Sequence, residues 1–169
     1  MSIILSERLS RVGASPTLAI SAKAAKLKRE GRNIVAFGAG EPDFDTPQFI
    51  KDAADKATAE GKTKYSAPAG IIELREALVA RYSNMFGLDY TADQALVSCG
   101  AKHTLYNLFT ALLNEGDEVI IPAPYWVSYP AQTLLAGGKP VFVDTDPNEA
   151  FCPTPEALSA AVTDKTRAV

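Results

Sequence analysis

A short run of small residues between two apolar segments is the part of this sequence best suited to hold a phosphate group. Residues 98–102, Ser-Cys-Gly-Ala-Lys, follow an apolar run at 95–97, and the apolar positions in 105–113 have helical spacing. The first N–H groups of a helix have no partner within it, and the helix dipole favours an anion there. The run therefore predicts a phosphate-binding turn at residues 100–102.

Two more connections are expected at the same edge of a sheet. Residues 38–40, Gly-Ala-Gly, follow the apolar segment 34–37, and residues 123–126, Ala-Pro-Tyr-Trp, follow a predicted strand. Ligands of parallel sheets gather at the carboxyl ends of the strands, so three such connections indicate a binding site. Each connection also has a purely structural interpretation. Residues 38–40 would be an ordinary turn, the two aromatic rings at 125–126 would pack in the core or an interface, and Lys102 would be a solvated lysine at a helix start.

Cys99 and His103 are four residues apart, a spacing that suggests a second type of catalysis, in which a thiol is the nucleophile and an imidazole the base. The only histidine of the chain would then need a third group to orient it. The simpler interpretation, which we favour, is a small buried thiol beside an imidazole on a helix surface.

The elements that must position these residues alternate between helix and strand patterns. Capping residues, apolar spacing and glycine stops predict helices from Ser15-Pro16 to Gly31, from Thr46-Pro47 to Gly61, over 74–85 before Gly87, over 102–113 and over 128–136. Apolar runs predict strands over 95–98, 118–122 and 140–144, with another opening at 165–169. Strands separated by helices predict a three-layer α/β fold, a mainly parallel sheet flanked by helices.

Composition and charge exclude several classes of function. The chain has 169 residues, 47% of them hydrophobic, and its 17 basic and 20 acidic residues give a net charge of −3. Without a basic run, neither nucleic acid nor a membrane surface is an expected partner. Cys99 and Cys152 match no zinc spacing, so no metal is expected, and the absence of a signal peptide or membrane-spanning stretch leads us to expect a cytoplasmic protein.

Four segments, taken in order, resemble class I and II, fold-type-I aminotransferases, which use pyridoxal phosphate. They are residues 38–47 (GAGEPDFDTP), 64–75 (KYSAPAG with a later Leu-Arg), 100–102 (GAK) and 124–129 (PYWVSY). Within the family the chain is most similar to the prokaryotic aspartate aminotransferases. The resemblance implies transfer of an amino group between an amino acid, aspartate or a similar dicarboxylate, and a 2-oxo acid.

The resemblance also implies how the cofactor is bound. Gly100, Ala101 and Lys102 match the turn that holds the phosphate of pyridoxal 5′-phosphate, and Trp126 matches the aromatic residue against its pyridine ring. Tyr65 matches a tyrosine whose hydroxyl reaches the phosphate in the neighbouring subunit. The expected assembly is therefore a homodimer.

Substrate-binding positions follow from the same resemblance. Gly40 matches the residue whose N–H binds the substrate α-carboxylate, and Trp126 also borders the substrate. Ser15, Thr17 and Lys102 match positions that help to bind the distal carboxylate in the aspartate-preferring bacterial branch, where a cation suits the charge. A dicarboxylic substrate is therefore expected.

The resemblance divides the chain into an N-terminal arm with a small-domain segment, residues 1–45, and part of the large cofactor-binding domain, residues 46–169. In the family the lysine that forms the Schiff base follows beyond the matched region. We therefore expect no catalytic residue in this span and no activity of the 169-residue chain alone. The alternatives are another fold-type-I enzyme, such as a lyase or synthase, or a non-catalytic phosphate-binding fragment.

Overall fold

A parallel three-stranded sheet lies at the centre of the part of the chain that follows Ser98. The structure, a computed structural model, describes residues 3–38 and 40–169. Internal contacts divide it into two units, one formed by Cys99–Val169 with the segment up to Pro16, the other by Thr17–Ser98. The predicted functional boundary between residues 45 and 46 stays a prediction, because packing within the chain does not test it.

Helices and strands alternate in the first unit, whereas the described residues of the second unit form helices without strands. The α-helices of the described residues are α1 (Pro16–Arg29), α2 (Gln48–Ala59), α3 (Ile72–Phe86), α4 (Ala101–Leu112), α5 (Ser128–Leu135) and α6 (Pro155–Ala161). The strands are β1 (Glu118–Ala123), β2 (Lys139–Asp144) and β3 (Thr166–Ala168). Short 3-10 helices cover Glu7–Arg11, Ala92–Gln94 and Pro147–Glu149.

The sheet has the order β2-β1-β3, and both neighbours of β1 run parallel to it. Glu118 pairs with Lys139 and Ala123 with Asp144, so β1 and β2 end at the same level. The α/β class and the parallel sheet with helices are confirmed, as are the strands predicted at 118–122, 140–144 and 165–169. The carboxyl ends of β1 and β2 lie at one edge, as the site prediction requires.

The core of the first unit forms where α4 meets β1. Phe109 and Leu113 pack with Val119 and Ile121, and all four side chains are buried. Residues 118–121 are buried without interruption, which is typical of a central strand covered on both faces. Burial of this apolar surface fixes α4, and hence its first turn, against the sheet.

The second unit consists of helices whose ends match the sequence signals. α3 ends at Gly87, which has φ +66° and donates its N–H to the Ser83 carbonyl. The Arg75 side chain donates to the carbonyls of Ala92 and Ala95, at 2.9 and 3.0 Å from Nε. These bonds hold the short 3-10 helix that follows α3.

The strand predicted at 95–98 is wrong. Ala95 is extended, with φ −107° and ψ 133°, and the N–H of Val97 donates to the Ala69 carbonyl at 3.0 Å. An apolar extended segment becomes a strand only beside a second backbone with a repeating ladder. Within the described residues of this unit no strand is present, so the segment remains irregular.

Candidate functional site

The first turn of α4 presents backbone donors without acceptors. Gly100 caps the helix with φ +85° and ψ 163°, a conformation that is almost confined to glycine, and no side chain caps this end. Its carbonyl accepts from the N–H groups of His103 and Thr104 at 3.1 and 3.2 Å. The N–H groups of Gly100, Ala101 and Lys102 meet no acceptor among residues 3–38 and 40–169. Together they form a concentrated positive end of the helix.

Trp126 lies beside this turn. β1 ends at Ala123, and three residues later Trp126 accepts the Tyr129 N–H on its carbonyl at 3.0 Å, which begins α5. Its indole is 56% exposed, and Lys102 Nζ lies 5.9 Å from the ring centroid, at the limit of a cation–π contact. Lys102 and Trp126 are therefore neighbours at one edge of the first unit.

A cavity of about 210 Å³ separates the first turns of α4 and α5. The residues that line it are Ala101, Lys102, Leu105, Trp126, Ser128, Tyr129 and Gln132. The structure thus brings together the predicted Ala101, Lys102 and Trp126 around one space, with Gly100 at its helix cap.

Tyr125 takes the structural role that the sequence left open for the aromatic pair. Its ring stacks on that of Phe142 in β2, with the centroids 4.9 Å apart and the planes 17° from parallel. Tyr125 thus anchors the connection after β1, while Trp126 borders the cavity. The sequence could not separate the two roles, because both rings follow the same strand.

The other predicted site residues are placed as follows. Ser15 is half-buried and belongs to the first unit, whereas Thr17, in the first turn of α1, is half-buried in the second. Gly40 and Tyr65 are exposed in the second unit, with Tyr65 in an irregular segment. Ala39, in the predicted turn at 38–40, lies outside the described residues. The roles of these residues remain predictions.

Cys99 is exposed, so the prediction of a buried thiol is wrong, while the imidazole of His103 is exposed as predicted. The reason is the position of Cys99 in the open turn before α4 rather than in a paired strand. The Cys99 N–H donates to His103 Nδ1 at 3.2 Å. His103 therefore contacts the backbone of this turn.

Gln132 is a residue of the site that the sequence did not reveal. It is 6% exposed, and its Nε2 donates to the Lys102 carbonyl at 2.7 Å. Since a carbonyl only accepts, the amide nitrogen must face Lys102; the Oε1 atom is buried without a partner in the described part of the chain. The only signal in the sequence is a long amide side chain in a helix, α5, that has no charged residue.

The two carboxyl groups whose pKa is shifted, those of Asp117 and Glu118, lie at the end of β1 opposite the cavity. The backbone N–H of Asn114 lowers the pKa of Asp117, with a further contribution from Arg167. The Thr163 hydroxyl and then Lys139 lower the pKa of Glu118. Both side chains are buried at the amino end of the strand, so they stabilise the sheet and are remote from the cavity along β1.

No group of three or more histidine, cysteine, aspartate or glutamate side chains could hold a metal ion in the described ranges. Of the helices that the structure describes, none is long and apolar enough to cross a membrane.

The sequence profile of the aminotransferase class I and II family matches residues 32–169. The chain belongs to this family. It is 50% identical over 165 residues to the aspartate/prephenate aminotransferase of Thermus thermophilus and 51% identical over 165 residues to the aspartate aminotransferase of Geobacillus stearothermophilus. These alignments cover 98% of this chain and 43% and 42% of the relatives. This class I and II aminotransferase chain thus spans less than half the length of either relative.

Solved structures agree with the family assignment. The aspartate aminotransferase of Thermus thermophilus with maleate has a TM-score of 0.93 at 50% identity and matches 98% of this chain and 43% of its own. That of Rhizobium meliloti has a TM-score of 0.93 at 44% identity, with 98% and 42% covered. The resemblance to aminotransferases and the fold class are confirmed, and relatives with these names do not favour a lyase or synthase.

Proposed function

We propose that the complete polypeptide containing these residues is an aminotransferase that uses pyridoxal 5′-phosphate. It transfers the amino group between an amino acid, aspartate or a similar dicarboxylate, and a 2-oxo acid. The observation that carries the proposal is a set of three backbone N–H groups beside the exposed indole of Trp126. These N–H groups, of Gly100, Ala101 and Lys102, meet no acceptor in the part of the chain that the structure describes.

The residues present fit both parts of this cofactor. A phosphate monoester needs several donors and positive potential, and the first turn of α4 supplies both without an acidic residue to oppose it. A planar pyridine ring needs a flat apolar surface, which the Trp126 indole supplies while it excludes water. When bound, pyridoxal phosphate serves as an electron sink that makes the bonds at the substrate α-carbon labile.

A dicarboxylic substrate is supported by the charge at the site. Lys102 places an ammonium group at the cavity, where it would attract a distal carboxylate, and we propose Ser15 and Thr17 as further hydrogen-bonding partners. The relatives named above are aspartate or aspartate/prephenate aminotransferases, and one solved relative contains maleate, a dicarboxylate. Trp126 would border the substrate as well as the cofactor.

Two residues of the second unit complete the proposal. Gly40 would donate its N–H to the substrate α-carboxylate, and a Cβ built on it would meet no atom within 4 Å, so an approaching ligand finds open space. Tyr65, whose side chain is exposed, would reach the cofactor phosphate of a second subunit in a homodimer. We further propose a cytoplasmic location, because Cys99 and Cys152 are both free thiols.

Trp126 is the only tryptophan of the sequence, so its fluorescence tests the proposal directly. Titration of the 169-residue chain with pyridoxal 5′-phosphate is expected to quench this fluorescence at lower concentrations than titration with pyridoxal, because only the former carries the phosphate. Equal quenching by both compounds would contradict a phosphate site at the start of α4.

Activity is tested on the complete polypeptide. With aspartate and a 2-oxo acid it is expected to form oxaloacetate and the new amino acid, and the half-reaction with aspartate is expected to leave pyridoxamine phosphate. We expect the 169-residue chain to bind the cofactor without transferring amino groups. Loss of the substrate carboxylate as carbon dioxide, without pyridoxamine phosphate, would indicate a lyase instead.

A further inference from the structure

A buried side chain of α5 reaches the first turn of α4 from outside that helix. Gln132 is 6% exposed, and its Nε2 donates to the Lys102 carbonyl at 2.7 Å, at the short end of the range for such bonds. Phe109, the buried residue of α4, lies about two turns farther along the helix. The apolar core therefore fixes the later part of α4, while Gln132 restrains its start.

This restraint passes through two peptide groups to a donor of the phosphate turn. The Lys102 carbonyl and the His103 N–H belong to one planar peptide group, and this N–H donates to the Gly100 carbonyl at 3.1 Å. The Gly100 carbonyl in turn shares a peptide group with the Ala101 N–H. Because the two ends of a trans peptide group point in opposite directions, the direction of the Ala101 N–H follows from that of the Gly100 carbonyl. A chain of two hydrogen bonds thus links the Gln132 amide to the Ala101 N–H.

The two bonds of this chain run in the same direction, which affects the polarity of its last donor. Each donor withdraws electron density from the carbonyl that it meets, so peptide groups in series polarise one another. The last donor, the Ala101 N–H, meets no acceptor in the described ranges of the chain. The uncharged amide of Gln132 therefore contributes to both the direction and the positive potential of this N–H.

Stability alone does not account for the buried amide. Its Oε1 atom has no partner among the residues that the structure describes, and an unpaired buried acceptor offsets the stabilisation that the bond from Nε2 provides. A methionine side chain has a similar length and brings neither effect. The net contribution of the amide to folding is therefore small, while its hydrogen bond acts on the phosphate turn.

We propose, on the basis of the function proposed above, that Gln132 is a positioning residue for the cofactor phosphate. Its Nε2 holds the Lys102 carbonyl, and through this peptide group it keeps the Ala101 N–H directed at the phosphate. Gln132 acts through the backbone of the turn and not by contact with the ligand. Affinity for the phosphate group depends on it, whereas affinity for the pyridine ring beside Trp126 does not.

Pyridoxamine 5′-phosphate and pyridoxamine are suitable probes, because they differ only in the phosphate and neither has an aldehyde that reacts with lysine. Their dissociation constants for the 169-residue chain are measured by the quenching of Trp126 fluorescence. In Gln132→Met we expect the affinity for pyridoxamine 5′-phosphate to fall about fivefold, as for the loss of one hydrogen bond, and that for pyridoxamine to stay unchanged. The NMR signals of the Ala101 and His103 N–H groups should also move in this variant.

Thr133→Val is the matched control. Thr133 is the next residue of α5 and is fully buried, and its hydroxyl donates to the Tyr129 carbonyl of the same helix at 2.9 Å. Loss of this bond should lower stability, while the affinity of the folded chain for both compounds and the NMR signal of the Ala101 N–H stay unchanged. Equal loss of phosphate affinity in Thr133→Val and Gln132→Met would show that the packing of α5 explains the effect, which overturns the role of Gln132.

The outcomes separate this role from the function on which it rests. If pyridoxamine 5′-phosphate binds the wild type no better than pyridoxamine, both the phosphate site and the role of Gln132 are contradicted. If the phosphate compound binds better but Gln132→Met keeps the full difference, only the role of Gln132 is overturned. Should Gln132→Met fail to fold, the wild type decides. The phosphate compound must then shift the NMR signal of the Gln132 side-chain N–H groups more than pyridoxamine does, and equal shifts overturn the role.

Discussion

Gln132 Nε2 donates a 2.7 Å hydrogen bond to the carbonyl of Lys102, which joins the middle of α5 to the first turn of α4. The bond spans the two helices whose first turns border the cavity, so it helps to set their separation. The other amide atom, Oε1, is buried without a partner in the described residues. The site thus combines one strong constraint with one unsatisfied acceptor.

Substitution of Gln132 tests how these two effects balance. An unpaired buried acceptor costs about 1–3 kcal/mol, and a hydrogen bond contributes a net stabilisation of about 1 kcal/mol. Gln132→Met removes both the unpaired Oε1 atom and the hydrogen bond to Lys102. Because the two effects oppose each other, the free energy of unfolding should change by less than about 1 kcal/mol. Gln132→Ala should cost about 2 kcal/mol or more, because it also leaves a cavity. Urea denaturation measures both. A Met variant as unstable as the Ala variant would show that the hydrogen bond dominates.

Gly100 tests the backbone geometry of the phosphate turn. A Cβ at Gly100 would meet no atom within 4 Å, so the penalty of Gly100→Ala comes from φ +85° and ψ 163° alone, about 1–3 kcal/mol. The turn can relax only by moving the N–H groups of residues 100–102. In Gly100→Ala we expect the dissociation constant of pyridoxal 5′-phosphate, measured by the quenching of Trp126 fluorescence, to rise at least tenfold.

The matched control for that variant is Gly116→Ala. Gly116 also has φ +85° and open space around a Cβ, but it lies in the turn before the amino end of β1. It should lower stability and leave cofactor binding to the folded chain unchanged. Equal loss of binding in both variants would mean that instability, not the turn, explains the effect.

The sequence predicted most helices and strands of both units because their signals are local, whereas phosphate binding at the turn before α4 stays a prediction. Helix starts, glycine stops and strand runs placed β1, β2 and α1 to α5 within about two residues, the usual uncertainty of element ends. α6 was not predicted, although its signal was present: Thr154 Oγ1 accepts the Ala157 N–H at 3.1 Å, and Pro155 begins the helix.

Where the prediction failed, the deciding contact was distant in sequence. Residues 95–98 have a strand-like composition, but the bond from Val97 to Ala69 is a single contact rather than a ladder. Gln132 and Lys102 are 30 residues apart, so no local pattern could reveal their hydrogen bond. Pairing across such separations depends on the folded backbone and not on periodicity.

Lys102 offers a test of substrate charge that leaves the phosphate site intact, because its backbone N–H remains whatever the side chain. In the complete polypeptide, Lys102→Met should raise KM for aspartate by about tenfold, as expected for loss of a charged hydrogen bond. Cofactor affinity should change far less. The control is an apolar amino donor, whose KM should not rise; a parallel rise for both donors would remove Lys102 from carboxylate binding.

Acid should weaken the first unit through Asp117 and Glu118. Asp117 Oδ2 accepts the Asn114 N–H at 2.8 Å, and Glu118 accepts from Thr163 and Lys139 at 2.6 and 3.0 Å. These contacts lower the pKa of both carboxyl groups below their ordinary values, so the unfolded chain binds protons more readily than the folded chain. The stabilisation is then complete above the unfolded pKa values and is lost as the pH falls below about 4.5 through the folded values.

Thermal unfolding measured over this acid range checks the assignment. The wild type should lose stability steeply below about pH 4.5, whereas Asp117→Asn and Glu118→Gln should be less stable near neutral pH and show a shallower acid decline. The matched control is Asp146→Asn, because Asp146 caps the exposed 3-10 helix Pro147–Glu149 and its carboxylate is not part of the sheet. If Asp146→Asn reduces the loss of stability in acid as much as the two sheet variants do, the pH dependence of stability does not arise from the contacts of Asp117 and Glu118.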